Sequence, residues 1–195
     1  MQNNSENSSI REKSPEESSA DVIVRMFPSD ANPAGNVFGG EILKHIDMVA
    51  GIVAQRHSQS NAVTVSMDSV NFIKPVFVGN VLKLNARINY VHNSSMEIEV
   101  RAEAEDIVTG IKTITGTAFV TFVTLDKNGK PTHAPKLLLQ TDEDRAKFAE
   151  GKIRMEERLK HRKKSNIWFL WISLKEYQKL LLIMTSEEKS NEWDS

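Results

Sequence analysis

The chain contains no cysteine. Disulfide cross-links, thiolate nucleophiles and Cys-ligated zinc are thereby excluded, and a reducing compartment fits. Nor is there an excess of either charge: 25 Lys and Arg stand against 26 Asp and Glu, a formal net charge of −1. A nucleic-acid binder working through a strongly basic surface is not expected. No run of about 18 uncharged apolar residues occurs, the length a membrane-spanning helix needs. Residues 1–20 lack the apolar stretch of a Sec-type signal peptide, so none is expected and a cytoplasmic protein is inferred. P-loop, GxGxxG, GxSxG and HExxH patterns are also missing. His57, His92, His133 and His161 show no metal-ligand spacing and read as loop or surface residues, so neither metal nor cofactor is expected.

What is present is an ordinary soluble composition, 39% apolar and 26% charged over 195 residues, which favours one main domain. Residues 1–19 are Ser, Asn and Glu with almost no large apolar side chains, and read as a disordered tail. Residues 22–27 form a short first strand ended by Pro28, and Ser29 to Gly35 is turn chemistry. Residues 39–56 carry Ile42, Leu43, Ile46, Val49, Ala50, Val53 and Ala54 at helical spacing, which predicts a long amphipathic helix.

Four strand-like runs follow. In residues 62–73, Val63, Val65 and Met67 share one phase and Val70 and Phe72 the other, which predicts a bulge near Asp68–Ser69. Residues 81–90 and 96–105 alternate cleanly. Leu82, Leu84, Ala86, Ile88 and Tyr90 point inward on the first, and Met96, Ile98, Val100, Ala102 and Ala104 on the second. Their polar faces set basic residues opposite acidic ones. Residues 112–124 are the last strand, closed by Asp126 to Pro131. One strand, one long helix and four antiparallel strands make an α+β domain in which the helix covers the apolar face of the sheet. That domain is placed at 20–132. A basic C-terminal helix follows within 133–165, its helical part at 142–164 holding nine Lys or Arg against six Asp or Glu. The stretch 166–195 is an amphipathic or poorly ordered extension. Within it, 166–184 has a rough helical stripe, for which membrane contact is the minor reading.

Asp47 lies at the edge of the long helix's apolar stripe, with Gly40 two turns before it and Gly51 one turn after. Glycine in a helix costs about 1 kcal/mol relative to alanine, so close approach of another group is one reason for these residues. Helix packing, with Asp47 a satisfied polar group at the edge, is the other. Gly39 and Gly40 open the helix, where the first backbone N–H groups have no internal acceptor and no Cβ blocks access to them. A substrate lying along the helix would meet those donors and then the carboxylate.

The run Asn32-Pro-Ala-Gly-Asn-Val-Phe38-Gly39-Gly40 through Asp47 to His57 resembles the helix motif of hotdog-fold acyl-CoA thioesterases, most nearly the YciA-type bacterial and cytosolic brain-type hydrolases. Val63 to Gly79 and His92 to Val100 are similar to the same family, and the resemblance spans about 20–160. It implies a hotdog fold and hydrolysis of fatty acyl-CoA to free acid and CoA. Asp47 would be general base or nucleophile. Asn32 would come from a neighbouring protomer, and Gly39 and Gly40 would be oxyanion donors. It also implies a homo-oligomer, a dimer or a trimer of dimers, with CoA near basic residues between subunits. Phe38, Ser66, Lys74, Arg87, Ser94 and Ser95 are the substrate-binding candidates, with Arg158–Lys164 as a further basic stretch. The alternative is a non-catalytic acyl-CoA-binding hotdog protein. An intact Asn32, Gly39, Gly40 and Asp47 set favours the enzyme.

Overall fold

The computed structural model describes residues 12–161. The chain divides after Gly151 into two units. The first holds α1 (Pro15–Ser18), β1 (Ala20–Arg25), α2 (Gly39–Ser58), β2 (Asn61–Phe72), β3 (Val81–His92), β4 (Ser95–Glu105) and β5 (Lys112–Leu125). The strands form one antiparallel sheet in the order β1-β3-β4-β5-β2. From α2, Ile42, Ile46, Val49, Ala50, Val53 and Ala54 are buried against Leu82, Leu84, Ala86 and Ile88 of β3, Ile98 and Val100 of β4, and Val120 and Phe122 of β5. Each Val, Leu, Ile or Phe among them contributes about 1.5–3 kcal/mol on burial. This is the hotdog arrangement that the order of elements and the motifs pointed to. Residues 142–151 are helical and belong to this unit; in the second unit, residues 152–161 are helical. The reading of 166–184 as an amphipathic segment lies outside the described residues, as do the first 11 residues of the expected tail.

Several expectations need correction. Residues 12–19 are ordered rather than part of a disordered tail. Ser14 and Glu17 form a reciprocal capping box around α1, and Lys13 is buried with its ammonium donating to the carbonyls of Arg56 and His57 at 2.7 and 3.1 Å. A cation there neutralises the negative end of α2, which composition alone does not reveal. His57 is not a surface residue. It is fully buried, with Ser18 Oγ 3.0 Å from Nδ1 and the Pro135 carbonyl 2.8 Å from Nε2.

The outer face of β3 and β4 is not wholly solvated either. A register shift between Ile88 and Tyr90 sets Tyr90, expected to point inward, opposite Glu97 on this outer face; its ring lies 4.7 Å from that of Phe148, and Asn89 and Glu97 are buried. The opposing charges of the two strands do sit in register, Lys83 with Glu103 and Arg87 with Glu99, yet their ion pairs run elsewhere. Lys83 meets Asp21 at 3.2 Å, Arg87 meets Glu143 and Asp144, and Glu99 meets Lys147 at 2.6 Å. Alternation reports which residues share a face; it does not say that a later helix covers that face.

Strand β2 holds two irregularities where one was expected. Its register against β5 slips between Thr64 and Ser66 and again between Asp68 and Asn71, where Ser69 takes a left-handed φ of 51°. The second is the bulge anticipated from the change of phase. The first reverses part of the expected facing. Val63 and Val65 are 40% and 55% exposed, while Thr64 reaches α2 and Met67, Val70 and the core share one side.

Candidate active site

The loop before α2 is set by its polar side chains. Asn32 Oδ1 accepts the amide hydrogens of Ala34 and Asn36 at 2.9 and 3.2 Å, folding residues 32–36 into a tight turn. That leaves its side-chain amide as the group it offers outward. Asp30 accepts the Phe27 N–H through its carboxylate, and its carbonyl accepts the Phe38 N–H at 2.7 Å. Val37 donates to the Val76 carbonyl at 2.9 Å. These bonds hold Phe38 as the extended residue preceding the helix.

The first helical bonds are donated by Glu41 and Ile42 to the Phe38 carbonyl. The N–H groups of Gly39 and Gly40 therefore precede the intrahelical ladder and stand at the positive end of a 20-residue helix. A Cβ on Gly40 would collide with Cε1 of the Phe38 ring, so that ring occupies the space glycine leaves open. A Cβ on Gly39 would lie 3.6 Å from the ring of Phe72 at the end of β2. Two aromatic side chains thus flank the paired glycines.

Asp47 is two turns further along α2. Its Oδ1 accepts the Thr64 hydroxyl hydrogen at 2.7 Å, which fixes the carboxylate from the neighbouring strand. Thr64 is the residue that sequence reasoning missed. The simple alternation Val63, Val65, Met67 put it on the wrong side, and the slip at Val65 put it on the right one. About eight residues of strand would span roughly 26 Å against about 12 Å for eight of helix. The two bulges bend β2 so that Thr64 and Phe72 both stay against α2.

The binding candidates scatter. Phe38 is at the helix start. Ser66 donates to Asp68 at 3.1 Å. Lys74 lines a cavity of about 390 Å³ with Pro75, Phe77, Asn80, Asp106 and Ile111. Ser94 gives its carbonyl to the Thr124 N–H at 2.9 Å, and Ser95 opens β4 in register with His92 and Val123. Arg87 is engaged by Glu143 at 3.2 Å and by Asp144. Arg158, at the start of the other basic stretch, belongs to the second unit, and residues 162–164 lie outside the described residues. Among the described residues no group of three or more His, Asp or Glu is arranged to hold a metal ion, and no helix is long and apolar enough to cross a membrane.

Residues 34–111 match the family model of the thioesterase superfamily. The chain is 41% identical over 120 residues to an uncharacterized acyl-CoA thioester hydrolase, YkhA, of Bacillus subtilis, covering 62% of this chain and 70% of that one. It is 39% identical over 139 residues to the cytosolic acyl coenzyme A thioester hydrolase of Rattus norvegicus, covering 70% of this chain but only 36% of the rat protein. Among solved structures, the acyl-CoA hydrolase of Staphylococcus aureus in complex with butyryl-CoA, CoA and CoA disulfide superposes with a TM-score of 0.76 at 32% identity, over 83% of this chain and 98% of that one. A hexameric acyl-CoA thioesterase gives 0.74 at 34% identity, over 77% and 97%. The S. aureus enzyme has also been solved with an Asp, an Asn and a Thr each replaced by Ala. That asparagine and aspartate are 15 positions apart and that aspartate and threonine 17, the spacing of Asn32, Asp47 and Thr64.

Proposed function

We propose, from the premise that this chain belongs to the thioesterase superfamily, that it hydrolyses acyl-CoA thioesters to free acid and CoA. The observation that carries this reading is Asp47, held at 2.7 Å by Thr64 on the same helix whose paired-glycine start leaves two N–H donors open. Water adds to the thioester carbonyl as Asp47 takes its proton, or Asp47 itself adds first and water then releases the acid. In either case the oxygen becomes negatively charged, and fixed N–H donors stabilise that charge better than water does. Gly39 and Gly40 supply the donors. The side-chain amide of Asn32 of the partner subunit orients the water or the carbonyl. In the first route the C–S bond then breaks as sulfur takes the proton held by Asp47; in the second it breaks as the acyl–Asp47 anhydride forms, water then cleaves that anhydride, and the proton water loses goes to the departed thiolate, so that CoA thiol leaves in both.

The reading includes a homo-oligomer, with a trimer of dimers as the favoured form. Support comes from the hexameric relative and from the edge position of β2, where Val63 and Val65 are exposed, as are Met48 and Ile52 of α2. An unpaired edge beside exposed apolar side chains is an invitation to a second copy. A cytosolic location is part of the proposal, supported by the name of the rat relative.

The direct test is release of free thiol from acyl-CoAs of rising chain length, read with a thiol-reactive dye. Turnover that depends on Asp47 is expected. A pure protein that binds acyl-CoA and releases no thiol at any chain length overturns the reading in favour of a binding protein. Light scattering showing an active monomer removes the assignment of Asn32 across subunits.

A further inference from the structure

The second bulge of β2 has a function of its own. Between Asp68 and Asn71 the strand carries one more residue than β5 opposite it, with Ser69 in the left-handed region. Bulges of this kind turn a strand and re-aim the side chains beyond them. The next residues are Asn71, whose carbonyl oxygen would lie 2.6 Å from any Cβ placed on Gly116, and Phe72. The contact at Gly116 is with backbone, which cannot swing aside, so this approach of the two strands requires glycine there. Its result is the Phe72 ring beside Gly39.

Phe72 is 52% exposed and Phe38 is 59% exposed, although both are wholly hydrocarbon and both flank N–H donors. A core aromatic would be buried, and a solvated turn does not need one. A hydrocarbon ring next to a carbonyl-binding position offers contact to the first carbons on the acyl side of a thioester. It offers little to the amide-rich pantetheine arm on the other side. We propose that Phe72, aimed by the Ser69 bulge and admitted by Gly116, is a specificity-determining residue that favours acyl groups of about four carbons and more over acetyl. This rests on the thioesterase reading above.

The test measures kcat and KM of the full chain on acyl-CoAs from two to sixteen carbons. Phe72→Ala should lower the ratio of kcat/KM for butyryl-CoA over acetyl-CoA about tenfold, mainly through KM, because the lost contact is apolar area made in the bound substrate, and should leave the ratio between longer chains unchanged. Phe72→Leu should restore part of the ratio. Gly116→Ala, which pushes the Asn71–Phe72 segment away without touching the ring, should shift the ratio in the same direction. Rates that fall by one common factor at every chain length, or a ratio unchanged within about twofold, overturn the proposal while leaving the thioesterase reading intact. Absence of thiol release by the unsubstituted protein removes the reading and the proposal with it.

Discussion

The hydroxyl of Thr64 donates to Asp47 Oδ1 at 2.7 Å, joining an edge strand to the middle of the central helix. That bond leaves Oδ2 as the oxygen free to face a substrate and limits the rotation of the carboxylate. A fixed acid group has little reorganisation to undergo during reaction. Replacing Thr64 with Val removes the hydroxyl and keeps the shape. The expected result is a fall of about tenfold or more in kcat with little change in KM, and Thr64→Ser should recover most of it. Equal kcat in the Val and Ser variants would show that the bond is structural only.

Asp47→Asn keeps an acceptor for Thr64, so the fold should survive with its melting temperature changed by only a few degrees. The amide can neither take a proton from water nor form an acyl intermediate. Turnover should drop at least a hundredfold while CoA still binds, as followed by calorimetry. Near-normal turnover in this variant would remove Asp47 from the chemistry.

His57 makes stability depend on pH. A carbonyl oxygen only accepts, so the contact with Pro135 places a ring hydrogen on Nε2, and in the neutral ring Nδ1 accepts from the Ser18 hydroxyl. Burial holds its pKa below the usual histidine value; the Pro135 carbonyl opposes this, Lys13 adds to it, and Glu17 opposes it. The unfolded chain takes up this proton from about pH 6.5 downward and the folded chain only at lower pH. The stability contributed by the neutral ring is thus complete above about pH 6.5 and declines below it, by at most about 1.4 kcal/mol per pH unit, until the folded pKa is passed. Urea midpoints at pH 7.5, 6.5 and 5.5 should fall more steeply in the native chain than in His57→Gln. Parallel curves would mean that His57 does not titrate differently on unfolding.

Arg87 is expected to serve stability rather than CoA. Burial works to raise the Asp144 carboxyl, but the Thr141 N–H and hydroxyl, the Gln140 N–H and Arg87 outweigh it and hold it below the usual carboxylate range. Thr141 in turn accepts the Asp144 N–H at 3.1 Å, so the same pair caps the start of the 142–151 helix. Removing Arg87 takes one charged hydrogen bond from a carboxylate that keeps those of Gln140 and Thr141, at a cost of about 1.5–3 kcal/mol. Arg87→Ala should lower the denaturation midpoint accordingly and leave KM for acyl-CoA within about twofold. A large rise in KM without loss of stability would return Arg87 to the substrate site.

Much of this molecule is determined by local pattern. The alternation in 81–88 and 96–105 and the helical spacing of Ile42 to Ala54 each follow from the period of one element, and period is a property of the chain alone, whereas the register shift after Ile88 that turns Tyr90 outward is not. The bulge at Asp68–Ser69 was legible for the same reason, because a change of phase is written in the order of residues. Gly39, Gly40 and Asp47 stood out because they lie on one helix, whereas Asn32 was singled out only by the family resemblance. The partnership of Thr64 with Asp47, the approach of Phe72 to Gly39, the closing of Lys13 over the end of α2 and the capture of Arg87 by Asp144 were decided only by tertiary structure. Each joins residues 17 to 57 positions apart. Such contacts depend on strand register and on which later segment covers which face, and a one-residue slip in β2 was enough to exchange Val65 for Thr64 at the candidate active site.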